Sequence, residues 1–165
     1  MRKFIVILIV VLMGCLYALW DLSSAPPGKV VKAESASIQF SKAPDVTMTD
    51  IAGNDFRLYD FEGKTVVLNI WATWCTPCVK EMPDLLELAN RHKHDLVFIA
   101  LSTDRDIETI ERFFKKLPED VQDIIDAENV IFAHDPRLEI SKGEFGTNMY
   151  PESFIIDKDM NIIKK

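Results

Sequence analysis

Hydrophobic and polar positions divide the chain into three stretches. Behind a short cationic start, Met1-Arg2-Lys3, the seventeen residues from Phe4 to Trp20 carry no charge. Residues 21–43 are rich in Ser, Ala, Pro, Gly and Lys without a strong period, which predicts a tether with a short strand at 38–40. From Pro44 onward, strand and helix patterns alternate. The turn residues Gly53-Asn54-Asp55 separate strand patterns at 46–48 and 56–58. Residues 65–71 and 96–102 are continuous apolar runs, expected of parallel strands buried on both faces. A helix-forming segment covers 79–90. Across 106–117 the apolar residues Ile107, Ile110, Phe113, Phe114 and Leu117 fall on one helical stripe. An acidic connection at 118–129 carries a short helix near 121–125, followed by a strand at 130–133. Residues 153–156 and 161–163 flank Asp157-Lys158-Asp159-Met160, which reads as a hairpin. The expected fold is α/β: a mixed central sheet flanked by helices. The domains are 1–20 as membrane anchor or signal, 21–43 as linker, and 44–165 as a folded unit with enough chain for one core.

Charge and cysteine content narrow the function. The net charge of −7, with no Lys/Arg cluster to offset it, argues against nucleic-acid binding. Only three cysteines occur, Cys15, Cys75 and Cys78, so the chain is no disulfide-stapled miniprotein, and the spaced pair reads as chemical. The apolar run at 4–20 is at the short end of what spans a bilayer. Tyr17 and Trp20 stand where interfacial aromatics belong, while Arg2 and Lys3 would keep the N-terminus cytoplasmic. Leu12-Met13-Gly14-Cys15 also looks like a lipoprotein processing site with Cys15 as the lipid acceptor. Length and flanks favour an uncleaved anchor, and either reading exports the domain to an oxidising compartment.

The chemistry centres on Trp74-Cys75-Thr76-Pro77-Cys78, between the strand at 65–71 and the helix at 79–90. Two cysteines three apart can join only if the chain turns between them, and a helix's first turn supplies that. The same placement puts the Cys75 sulfur near unpaired N–H groups and the positive end of the helix dipole, which favour a thiolate. A thiolate attacks disulfides, so this is the local form of a thiol–disulfide exchange site. His92 and His94 read as solvated surface at a charged helix end, and no metal ligand set is expected.

The segment from Val66 through Trp71, Trp74, Cys75 and Cys78 to Pro83 resembles the thioredoxin-like proteins of the membrane-anchored TlpA/ResA/CcmG group. Ala43-Pro44-Asp45, the 58–64 segment and Tyr150-Pro151-Glu152-Ser153 carry the likeness further. The resemblance implies a thioredoxin-like sandwich in which Cys75 attacks and Cys78 resolves the mixed disulfide. It implies that Thr76 and Pro77 shape the turn between them and that Trp74 offers an apolar contact to the partner. It also implies a cis bond at Tyr150-Pro151 that aligns an extended substrate facing the cysteines. Glu81, one turn beyond Cys78, is the expected proton shuttle, whereas Asn69 stands where ordinary thioredoxins keep a buried aspartate. Trp71 reads as core, and Glu152 as either an influence on partner approach or an exposed loop acid. That group usually continues into a covering helix after its last strand; here the sequence stops at Lys165, so this final helix is expected to be missing.

The implied function is an extracytoplasmic, periplasm-facing thiol–disulfide oxidoreductase reducing specific protein disulfides. Apocytochrome c is the leading partner, a membrane thiol carrier the electron donor, and the redox disulfide itself replaces any cofactor. Alternatives are a thiol-based copper(I) assembly factor, for which no further Met or His stands near the CxxC, and an oxidant that introduces disulfides.

Overall fold

The computed structural model describes Ser41–Lys165, and Met13 alone before them. The apolar segment at 4–20, Cys15 and the strand expected at 38–40 lie outside these described residues. Among the described residues no helix is long and apolar enough to cross a membrane.

The strands are β1 (Ser41–Lys42), β2 (Thr47–Thr49), β3 (Asp55–Arg57), β4 (Thr65–Trp71), β5 (Leu96–Ser102), β6 (Val130–His134), β7 (Glu152–Ile156) and β8 (Asn161–Lys164). The helices are α1 (Thr76–Arg91), α2 (Ile107–Phe114) and α3 (Glu119–Ile125), with a 3-10 turn at Leu58–Phe61 and a π-helical segment at Glu139–Glu144. Six strands form one mixed sheet in the order β1-β8-β7-β4-β5-β6, while β2 and β3 pair separately as a hairpin. The middle strands run parallel, Thr65 opposite Leu96 through Trp71 opposite Ser102, and β6 continues the parallel set from Val130 opposite Phe98. On the other side β7 is antiparallel to β4 and β8 to β7. This is the mixed α/β sandwich that the alternating pattern predicts.

The unbroken apolar runs of β4 and β5 follow from burial on both faces. Val67, Trp71, Phe98 and Ala100 point to the face covered by α1, α2 and α3. Val66, Leu68, Ile70, Ile99 and Leu101 point to the opposite face, where Met48, Leu58, Phe154 and Met160 close over them. Trp71 is fully buried with Phe113 5.0 Å away, ring to ring, and so is the core residue its pattern implies.

Helix α1 buries Cys78, Met82, Leu86 and Ala89, a stripe at three- and four-residue spacing, and continues past Pro83 to Arg91. Helix α2 ends at Phe114, three residues before the predicted limit at 117. Pro118 accounts for the early stop, because a residue preceding proline is pushed out of the helical region. The β2–β3 turn is tied by the Asp50 carboxylate, which accepts the Ala52 and Asn54 N–H groups around Gly53, whose φ of +89° suits a residue without a Cβ.

Candidate active site

The end of β4 and the start of α1 carry the two cysteines. Cys75 is the N-cap of α1 in extended conformation, and Pro77 sits in the first turn, where a missing N–H costs nothing. Cys75 and Cys78 are joined as a disulfide with Cα atoms 5.3 Å apart. The Cys78 N–H donates to Cys75 Sγ at 3.3 Å. That contact, with the helix dipole behind it, favours negative charge on Cys75 when the bond is open. Cys75 is 6% exposed and Cys78 fully buried, so an incoming sulfur meets Cys75 first. Thr76 and Pro77 are exposed on the turn between them.

The approach to Cys75 is walled by Trp74 and Tyr150. Trp74 is 65% exposed, and its ring meets Tyr150 edge-on at 5.3 Å. The Tyr150–Pro151 bond is cis, as the resemblance implies. Glu152, the next residue, pairs with Lys165 at 3.1 Å and is largely covered.

Behind the disulfide, Asn69 is fully buried at the centre of β4. Its amide donates to Glu81 Oε1 at 3.1 Å and to Ser153 Oγ at 2.9 Å. An asparagine can donate to a carboxylate where an aspartate would repel it, so Asn69 makes room for Glu81 one turn beyond Cys78. Trp74, Cys75, Cys78 and Glu81 thus stand at the β4–α1 junction, and the loop into β7 with Tyr150 and Pro151 reaches it through the Trp74–Tyr150 contact.

Two residues of this arrangement escape sequence reasoning. Asp104, 3% exposed just after β5, accepts the Thr73 N–H at 2.9 Å, the Thr73 hydroxyl at 2.7 Å and the Ser102 hydroxyl at 2.8 Å. It ties the loop that carries Trp74 and Cys75 to the neighbouring strand. Ser153 is the other, sharing the Asn69 amide with Glu81. A hydroxyl-rich Ser102-Thr103-Asp104 following a buried strand is the one local signal for the first; nothing local marks the second.

The geometry is matched by similarity. The Redoxin family model matches residues 39–165. The Thiol-disulfide oxidoreductase ResA of Bacillus thuringiensis subsp. konkukian is 37% identical over 139 residues, covering 84% of this chain and 74% of the relative. The thioredoxin domain of a thiol-disulfide oxidoreductase from Bacteroides vulgatus superposes with a TM-score of 0.61 at 26% identity, covering 77% of this chain and 87% of that one. The exposed lipoprotein thioredoxin Etrx1 from Streptococcus pneumoniae does so with a TM-score of 0.59 at 26% identity, covering 73% and 87%.

Proposed function

The chain belongs to the Redoxin family, and on that premise we propose that it is an extracytoplasmic, membrane-tethered thiol–disulfide oxidoreductase that reduces specific protein disulfides. The observation that carries the chemistry is the Cys75–Cys78 disulfide at the head of α1, with Cys75 Sγ accepting the first-turn N–H of Cys78.

In the dithiol form, the Cys75 thiolate attacks one sulfur of the substrate disulfide, forming a mixed disulfide and releasing the other substrate sulfur as a thiolate that takes up a proton. Cys78 then loses its proton and attacks Cys75 Sγ. The Cys75–Cys78 bond forms, and the second substrate thiol leaves. The substrate gains two electrons and two protons, and this chain is oxidised by the same amount. Glu81, oriented by Asn69, takes the Cys78 proton in the second step. Trp74, Tyr150 and Pro151 hold the substrate against Cys75, and Thr76 and Pro77 present the turn. No organic cofactor is required, since the sulfur pair stores both electrons.

Export is supported by the uncharged 4–20 run and by the exposed-lipoprotein relative. Either a membrane span or a lipid on Cys15 would tether the domain. The ResA relatives support thiol–disulfide exchange, and the Glu81–Asn69 pair supplies a proton group for the Cys78 step that reduction requires. Cytochrome c maturation is the fitting context: apocytochrome c cysteines, before haem attachment, are the substrate, and a membrane thiol carrier regenerates the dithiol.

The test has two parts. Reduction of a protein disulfide by the dithiol form must vanish in Cys75→Ser, and Cys78→Ser must accumulate a mixed disulfide through Cys75. Equilibration of Cys75–Cys78 against glutathione fixes the direction. A potential well below that couple agrees with a reductant; one well above it makes the protein an oxidant.

A further inference from the structure

Two cavities flank the loop that carries Thr73 and Trp74 and share a wall. The first, about 580 Å³, is bordered by Trp74, Tyr150, Arg105 and Thr109; the second, about 290 Å³, by Val79, Arg112 and Lys116. Thr73 and Thr109 line both, so the two form one trough alongside the loop that ends in Cys75. Thr109, Arg112 and Lys116 succeed one another at spacings of three and four, which puts them along one side of α2 and its extension.

The charge of this trough is opposite to that of the chain. The chain carries −7, yet Arg105, Arg112 and Lys116 are exposed, and none takes part in an ion pair among the described residues. The Arg112 guanidinium is engaged by neutral acceptors, the Glu108 carbonyl at 3.2 Å and the Thr109 hydroxyl at 3.0 Å, which leaves its charge uncompensated. The one acid in the wall, Asp104, is buried and already accepts three donors. A groove walled by Trp74, the residue before the reactive cysteine, and carrying three unpaired cations favours a polypeptide of opposite sign.

We propose that this trough receives acidic residues flanking the disulfide of the protein substrate, with Arg105, Arg112 and Lys116 as specificity-determining residues. The inference rests on the thiol–disulfide reading above and names the substrate class it acts on: disulfides bordered by Asp or Glu in extended chain. The aromatic pair Trp74–Tyr150 grips the segment near its cysteine, and the cations select the side chains farther along it.

The experiment uses the full-length chain in its dithiol form and three disulfide peptides of one length, with Glu, Gln or Lys at the flanking positions. The uncharged 2-hydroxyethyl disulfide serves as a separate reference. Wild type is expected to favour the Glu peptide over the Lys peptide by about tenfold in kcat/KM at low salt, each exposed pair contributing modestly. The preference should fade toward 1 M salt, where charges are screened within about 3 Å. In R105E/R112E/K116E the ratio should invert, and in R105Q/R112Q/K116Q it should approach one. Reversing Lys64, Lys93 and Lys142, which shifts net charge equally, should leave the ratio as in wild type. Equal rates for all three wild-type peptides overturn the inference while leaving the chemistry intact. So does an unchanged ratio in both trough variants that accompanies lost binding to anionic phospholipid vesicles, which makes the face a membrane contact. Failure of wild type to reduce even 2-hydroxyethyl disulfide counts instead against the parent reading.

Discussion

Asn69 and Glu81 are twelve residues apart in sequence and joined by one hydrogen bond, Nδ2 to Oε1 at 3.1 Å, across the gap between the middle strand and the active-site helix. The amide fixes the carboxylate one turn beyond Cys78. Replacing the acid with Glu81→Gln keeps size and an acceptor oxygen but removes the carboxyl group that can take up and give back a proton. Stopped-flow disulfide reduction should slow on the order of 10²-fold, the usual worth of a positioned proton-transfer group. The pH–rate profile should lose one ionisation, with Tm shifting by only a degree or two. An unaltered profile would reduce Glu81 to a structural acid.

Asp104 anchors the loop in front of Cys75 through three hydrogen bonds. An amide at this position turns one accepting oxygen into a donor facing donors. Asp104→Asn should therefore cost about 1–3 kcal/mol, seen as a fall of several degrees in Tm. Iodoacetamide should also alkylate Cys75 at an altered rate, because the loop presenting it loses its tie. A Tm loss with unchanged Cys75 reactivity would mean that the network serves stability alone.

Trp74 presents a large apolar ring to solvent and touches Tyr150 edge-on. The edge contact contributes about 1 kcal/mol, and the rest of the ring is available to a partner. Trp74→Ala should raise KM for a protein disulfide several-fold, with a small fall in Tm. An effect confined to Tm would remove Trp74 from the docking surface.

The β7–β8 turn gives a pH dependence with a definite sign. Asn161, first through its side chain and then through its backbone N–H, holds the Asp157 carboxyl below its ordinary value of 3.8, with the Asp159 N–H and nearby Lys42 assisting. A depressed folded-state value means that this stability is fully present above about pH 4. It disappears as pH falls through the folded value. Thermal melts between pH 5 and 2 should show a steeper acid loss for wild type than for Asp157→Asn. Parallel curves would show that the turn carries no such linkage.

How much of the molecule is legible in its sequence depends on how locally each feature is encoded. The two central strands are legible because burial on both faces leaves an unbroken apolar run, and their observed limits, Thr65–Trp71 and Leu96–Ser102, match the pattern. The π-helical segment at Glu139–Glu144 is not. Its order comes from the buried Asp135 carboxylate, which gathers the N–H groups of Glu139, Ile140 and Ser141, and no residue period records that. At the site, Cys75 and Cys78 announce themselves by spacing, and Tyr150–Pro151 by likeness to a known landmark. Thr73 and Asp104 lie 31 positions apart and Asn69 and Ser153 lie 84 apart, so those partnerships exist only once the sheet has formed.

The depth difference between the two sulfurs sets a clock. Cys78 is sealed on the buried face of α1 while Cys75 is slightly exposed, so once a partner is captured, release depends on a neighbour already in place rather than on meeting a second molecule. The lifetime of each mixed disulfide is therefore set within the pair, by Cys78 as attacker and by the partner's sulfur as leaving group. A partner whose sulfur leaves readily is released reduced by Cys78, while one whose sulfur leaves slowly stays bound longer, which turns timing into a second filter after recognition.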